Sequence, residues 1–224
     1  MDLSRIELLL GKKAIEKLKA SKVLVVGLGG VGGITAEMLV RSGVGNIAIL
    51  DFDTIAPSNL NRQVVTTEEN IGKLKVDELA KRLKAINSKL NITTFSERLT
   101  EENIQSFNLQ DYDYIIDAID SVKDKLALIK YAKTENINII SAMGTANKVC
   151  APIYEIVDIY KTQNDGLAKA MRKLLKENGI KSHKVCYSKQ EKLEIQGLGS
   201  VMWHPTACAC VLVSEVIKNL IEEN

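Results

Sequence analysis

Between Asp51 and Gln63 the chain crowds two carboxylates, Asp51 and Asp53, a hydroxyl at Ser58, amides at Asn59, Asn61 and Gln63, and the guanidinium of Arg62. Amides and a guanidinium at that density suit a chain of phosphates, because their N–H donors point in fixed directions and a guanidinium matches phosphate geometry. Upstream, Gly27-Leu28-Gly29-Gly30-Val31-Gly32 fits G-x-G-x-x-G. Glycines there let the backbone approach a nucleotide, and the N-terminus of the helix that follows favours negative charge. Asp51 falls about twenty residues beyond the turn, where a carboxylate can take both hydroxyls of a ribose. The glycine turn and Asp51 suit a dinucleotide equally well; the polar run after them points to ATP.

The elements that must position these groups are legible as alternating strands and helices. Apolar runs at Val23–Val26, Ile47–Leu50, Tyr114–Asp117 and Ile137–Ile140 read as strands, and Ile92–Phe95 as a short strand. Helices are expected from Gly33 to Val40, from Lys73 to Ile86 and from Val122 to Thr134. In the second, Val76, Leu79, Ala80 and Leu83 share one face. Such alternation predicts an α/β, Rossmann-like doubly wound fold with a mostly parallel sheet. One domain is expected, in four stretches: an N-terminal helical arm over 1–22, interrupted at Gly11; a nucleotide-binding core over 23–144; a small C-terminal lobe or basic flap over 145–204; and a terminal helix over 205–224. The flap is expected to hold strands near Ile153–Val157 and Lys184–Ser188 around a helix from Leu167 to Glu177.

The 224 residues carry a net charge of only +2, but nine Lys/Arg against three Asp/Glu fall between Lys161 and Lys192, leaving −4 for the rest. That asymmetry suggests a polyanionic partner, with a solvated helix face as the plain alternative. Lys169, Arg172, Lys173 and Lys176 are expected to form a band on one side of the helix, with Leu167, Met171, Leu174 and Leu175 facing the core. Cys150, Cys186, Cys208 and Cys210 include no C-x-x-C pair. Cys208 and Cys210 are expected to pack as small hydrophobes and Cys186 to be partly exposed. His183 and His204 show no partner pattern. The N-terminus lacks a signal-peptide pattern and the longest apolar run, Ala207–Val213, is too short for a membrane span, so a reducing cytoplasm is expected.

The ordered set "GLGGVGG", "LDFDTIAPSNLNRQ", "GKLK" and "IDAIDS" resembles the adenylating superfamily of the ubiquitin-activating enzymes and the activators of sulfur-carrier proteins. Within it the chain is most similar to the tRNA threonylcarbamoyladenosine dehydratases. That similarity is carried by "SRIELLLGKKAIEKL", "DAIDSVKDKLALI", "IVDIYKTQNDGLAKAMRKLLKENGI" and "LGSVMWHP" with "SEVIKNLI". The resemblance implies a ligase-type enzyme that adenylates the threonyl carboxylate of its tRNA substrate and closes the adenylate to a cyclic nucleoside, releasing AMP and pyrophosphate. It implies ATP and Mg2+, and leaves open a monovalent cation and sulfur-transfer protein partners.

The same resemblance distributes roles. Gly27, Gly29, Gly30 and Gly32 line the nucleotide, Asp51 and Asp53 lie at the ribose, and Ser58, Asn59, Asn61, Arg62, Gln63 and Lys75 face the phosphates. Asp120 holds magnesium beside Ser121. Arg5 reaches across a homodimer to the partner's triphosphate, neutralising leaving-group charge as an arginine finger does. Standing alone, Lys75 would be an ordinary surface lysine and Arg5 an ordinary helix arginine. The main rival is an activator of a ubiquitin-like or sulfur-carrier protein, which shares the adenylation half. An NAD-dependent oxidoreductase leaves Ser58–Gln63 without a purpose, and a catalytically silent scaffold leaves the whole polar set without one.

Overall fold

The computed structural model describes residues 1–222; the last two positions of the terminal stretch assigned to 205–224 lie outside the described residues. Strands β1 (Lys22–Val26), β2 (Asn46–Leu50), β3 (Asn91–Phe95), β4 (Tyr114–Asp117), β5 (Ile139–Ala142), β6 (Glu155–Asp158) and β7 (Lys184–Tyr187) form one sheet in the order β3-β2-β1-β4-β5-β7-β6. Every pairing is parallel except β6 with β7. β1 sits near the middle, with Val23 opposite Ile47 on one side and Tyr114 on the other.

The central strands read as unbroken apolar runs because both faces are covered. Val23 and Val25 point into one core with helices α2 (Lys12–Ala20), α3 (Gly32–Arg41), α4 (Lys75–Ile86) and α7 (Trp203–Ile221). Leu24 and Val26 point into the other, against α5 (Val122–Thr134) and α6 (Gly166–Glu177). The expected face of α4 is confirmed, with Val76, Leu79 and Leu83 buried and Ala80 packed beside them. The first helix, α1 (Ser4–Leu10), buries none of its residues; Leu8 is 87% and Leu9 85% exposed.

The stretch set apart as a flap is only partly one. β6, α6 and β7 extend the main sheet, β7 pairing with β5 through Ser141–Val185 and Ala142–Cys186. What remains irregular is 143–154 and 188–202, and Asn147 ties the two by donating its N–H to Gly199 O and accepting Gly199 N–H on Oδ1.

Behind the carboxyl ends of β4 and β5 lies a buried polar chain. Asp117 Oδ2 accepts from Lys125 Nζ at 2.8 Å and Ser141 Oγ at 2.6 Å, and Ser141 Oγ also meets His183 Nε2 at 2.8 Å. Ser141 has one proton and gives it to Asp117, so His183 donates from Nε2 and its buried Nδ1 has no partner. Burial, reinforced by the charges of Lys133 and Lys125, pushes the His183 pKa down to about 3. From pH 6.5 down to 3 the unfolded chain therefore takes a proton at this residue that the folded chain refuses, so acid destabilises the fold. The loss is about 1.4 kcal/mol per pH unit. Urea unfolding should show wild type losing about 2 kcal/mol more than His183→Gln between pH 6.5 and 5. Equal losses would place the acid sensitivity elsewhere.

Candidate nucleotide site

The chain leaves β1 toward β2 and β3 and returns on the other side at β4. Such a reversal opens a crevice at the strands' carboxyl ends, where ligands of doubly wound sheets bind. Two glycines of the turn are demanded by close approach. Gly27 has φ +86°, and a Cβ on it would lie 2.8 Å from Ala118 O; a Cβ on Gly32 would lie 1.7 Å from Gly27 O. Gly29 faces open space and Gly30 backs onto the Pro205 ring.

Asp51 shapes this turn directly: Oδ2 accepts Leu28 N–H at 2.6 Å and Oδ1 accepts Asp53 N–H at 2.8 Å. Each oxygen keeps a lone pair for a ribose hydroxyl. Burial raises the Asp51 pKa, against the opposing charge of Lys75. Lys75, the first residue of α4, is brought beside it and pairs through Nζ with Asp53 at 2.7 Å. The lysine is buried and Asp53 half exposed, so this ammonium is held at the crevice by a partner that solvent, or an incoming phosphate, can compete for.

The polar run divides its labour. Asn59 accepts Ala56 N–H and forms its own turn, while Asn61 donates to Ser200 O and anchors the irregular segment after β7. Arg62 folds back onto Ser58 O and Asn61 Oδ1. Gln63 is buried with Oε1 unpartnered. Ser121 caps α5, its Oγ accepting from Asp124 N, and Asp120 beside it is exposed, with no hydrogen bond or ion pair among the described residues.

Three surface assignments need correction, those of Arg172, Cys186 and Cys210. Arg172 does not join an open cationic band: it is half-buried and donates to Thr162 O and Oγ1, because the long side chain satisfies a buried loop more cheaply than it hydrates. Lys169, Lys173 and Lys176 are exposed as expected, and Leu167 and Leu174 are half-buried beside the buried Met171 and Leu175. Cys210 is exposed while Cys208 and Cys186 are buried with their sulfurs 3.5 Å apart, reversing the expectation for Cys186. Arg5 lies on α1, which lines a groove together with Met38, Arg41 and Ser42 at the C-terminal end of α3, remote from the glycine turn. It is not brought to its own chain's site.

Sequence reasoning passed over Lys125, Asp117 and Lys148. Lys125 left a signal: it shares the buried face of α5 with Leu128, Ile129 and Ala132, a phase that solvated lysines avoid.

Residues 3–224 match the model of the ThiF family. The chain belongs to the ThiF family. The tRNA threonylcarbamoyladenosine dehydratase of Bacillus subtilis is 41% identical over 178 residues, covering 80% of this chain and 70% of that protein. The Escherichia coli enzyme of the same name is 35% identical over 170 residues, 76% of this chain and 63% of its length. The structure of that E. coli dehydratase in complex with ATP superposes with a TM-score of 0.93 at 29% identity, covering 98% of this chain and 93% of the other. Within the ThiF family the chain therefore groups with the tRNA threonylcarbamoyladenosine dehydratases.

Proposed function

We propose that this chain catalyses the ATP-dependent dehydration of threonylcarbamoyladenosine in tRNA through a carboxyl adenylate. The observation that carries the reading is the crevice itself, in which Asp51 and Lys75 meet the glycine turn, on a fold shared with an ATP-bound dehydratase over nearly its whole length. The threonyl carboxylate attacks the α-phosphorus of ATP and the bond to pyrophosphate breaks. An internal nucleophile of the modification then attacks the adenylate, and AMP leaves carrying the oxygen that would otherwise depart as water. Intramolecular closure gains from high effective molarity. Lys75 exchanges Asp53 for phosphate, and Arg62 unfolds from Ser58 O to do the same.

Asp120 fits a hard cation, being an exposed carboxylate with no hydrogen-bond or ion-pair partner among the described residues. Among the described residues no group of three or more His, Cys, Asp or Glu is placed to hold a metal, so a magnesium ion would share Asp120 with phosphate oxygens and neutralise their charge. Nucleoside mass spectrometry after incubation with ATP and tRNA carrying the modification should show loss of one water. Carrier-dependent pyrophosphate exchange without that product would transfer the reading to a protein-carrier activator.

The homodimer is supported by α1: Leu8 and Leu9 are bare, and beside them a groove of about 720 Å3 is lined by Ile6, Leu10, Met38, Val213 and Ile217. A second copy covering these would also bring an Arg5 from outside. The tRNA surface is α6, which begins at the crevice, its N-cap Asp165 accepting Gly144 N–H just past β5. Lys169→Glu with Lys173→Glu should weaken tRNA at least tenfold at low salt and lower the salt slope by about 2, since each phosphate contact contributes about 0.9. ATP affinity should stay as it was. Unaltered tRNA binding would reduce α6 to a solvated face.

A further inference from the structure

Lys148 is a buried cation with no ion-pair partner among the described residues. The residue is 2% exposed, and its ammonium donates to Ser188 O at 2.9 Å and lies 5.8 Å from the centre of the Tyr154 ring. Among the described residues no carboxylate comes within ion-pair distance of it. An ammonium taken out of water with one carbonyl and an aromatic face is poorly compensated, and two of its N–H groups remain to be used. Burial accordingly depresses its pKa.

A second cation stands close by. Lys192 Nζ lies 3.2 Å from where a Cβ on Gly144 would be, and Asp165 Oδ2 lies 3.0 Å from the same point. A Cβ on Gly144, two residues past the end of β5, would therefore crowd both Lys192 and Asp165, and its absence lets the two side chains approach the backbone there. Asp165 is already engaged, accepting Gly144 N–H and Ala168 N–H. With Lys148 and Lys192 against Asp165, the local charge is +1.

This corner adjoins the nucleotide turn through a continuous wall. Pro205 packs on Gly30; His204, the residue before it, donates from Nε2 to Cys150 O and accepts Tyr154 Oη–H on Nδ1; and the Tyr154 ring lies under the Lys148 ammonium. Asn147, next to Lys148, is bonded to Gly199, and the neighbouring Ser200 O accepts from Asn61. The two cations therefore share the carboxyl edge of the sheet with the glycine turn and the Asn61–Arg62 loop.

We propose that Lys148 and Lys192 form the seat of the substrate carboxylate, holding it as a monoanion beside the bound nucleotide before it is adenylated. The proposal rests on the adenylation reading and adds the residues that select the group to be activated. A single carboxylate neutralises the +1 corner, and the two unused N–H groups of Lys148 supply charge-assisted hydrogen bonds to it. Once the carboxylate has become the mixed anhydride of the adenylate, its acyl group no longer carries the charge, so the same lysines release the acyl oxygen as the adenylate forms.

The test uses the full-length protein with a non-hydrolysable ATP analogue and two forms of one tRNA, with and without the threonylcarbamoyl group. Wild type should bind the modified tRNA at least tenfold more tightly. Lys148→Met, which keeps the buried stem, should abolish that preference with analogue affinity unchanged, and Lys192→Gln, at a half-exposed position, should reduce it by several fold. Preference retained in both folded variants overturns the proposal. So does equal weakening of both tRNAs, which would mean a backbone phosphate occupies the corner, or loss of analogue affinity, which would mean a nucleotide phosphate does. If wild type binds the analogue and converts modified tRNA, the adenylation reading stands whichever way the lysine variants fall; if it does neither, that reading fails on its own.

Discussion

Lys75→Met should lower turnover by about 10²–10³-fold, the usual cost of removing one preorganised charge from a developing leaving group. Methionine fills the buried channel of the lysine stem, so the start of α4 and its bond from Lys75 N to Asp53 O should survive. Only the ammonium is lost. Arg5→Ala should be impaired as well if, as proposed, the arginine serves the other subunit of a homodimer, since among the described residues Arg5 is not brought to its own crevice. Mixing the two variants makes this visible: in a mixed dimer the Arg5→Ala subunit keeps its Lys75 and receives an intact Arg5 from its neighbour. Random exchange in a two-fold dimer should restore about a quarter of wild-type turnover. Mass spectrometry would verify subunit exchange. No recovery in demonstrated heterodimers would sink the trans assignment while leaving that of Lys75 in place.

How far the sequence reaches follows from how local each signal is. Val23–Val26 and Tyr114–Asp117 are legible because a parallel strand buried on both faces is a short apolar run, and Gly27 and Gly32 because no side chain fits where their Cβ atoms would go. The ends of α5 matched because Ser121 caps one and the apolar phase stops at the other. By contrast, β6 and β7 are four residues each, and their joining of the main sheet depends on pairings, β7 with β5 and β6 with β7, that no local pattern announces. Asn59 and Asn61 were chosen as phosphate ligands from their amides. Whether an amide faces a ligand or a backbone carbonyl is decided by the turn and by Ser200, a distant residue. Lys148 is the extreme case: nothing near it in sequence says that Ser188, Tyr154 and Lys192 will close around it.

Lys125→Met should cost about 3–5 kcal/mol, the range for removing one partner of a fully buried ion pair, because Asp117 is left charged with no access to water. The companion variant separates stability from function. Replacing Asp117 by leucine in the Lys125→Met background removes the stranded charge, and urea unfolding should recover part of the lost stability, since apolar substitutes for a buried pair are often tolerated. Activity should not return with it. Asp117 Oδ1 accepts Ile119 N–H at 3.0 Å and so fixes the turn that places Ala118 O against Gly27 and leads into Asp120, the proposed cation ligand. Leucine offers no acceptor, so the turn loosens at the one point where the glycine turn and Asp120 are held in register. A single variant costing less than about 1 kcal/mol would show that the pair is dispensable. A double variant with full turnover would show that the turn is held by packing alone, and that the buried charge does not serve the site.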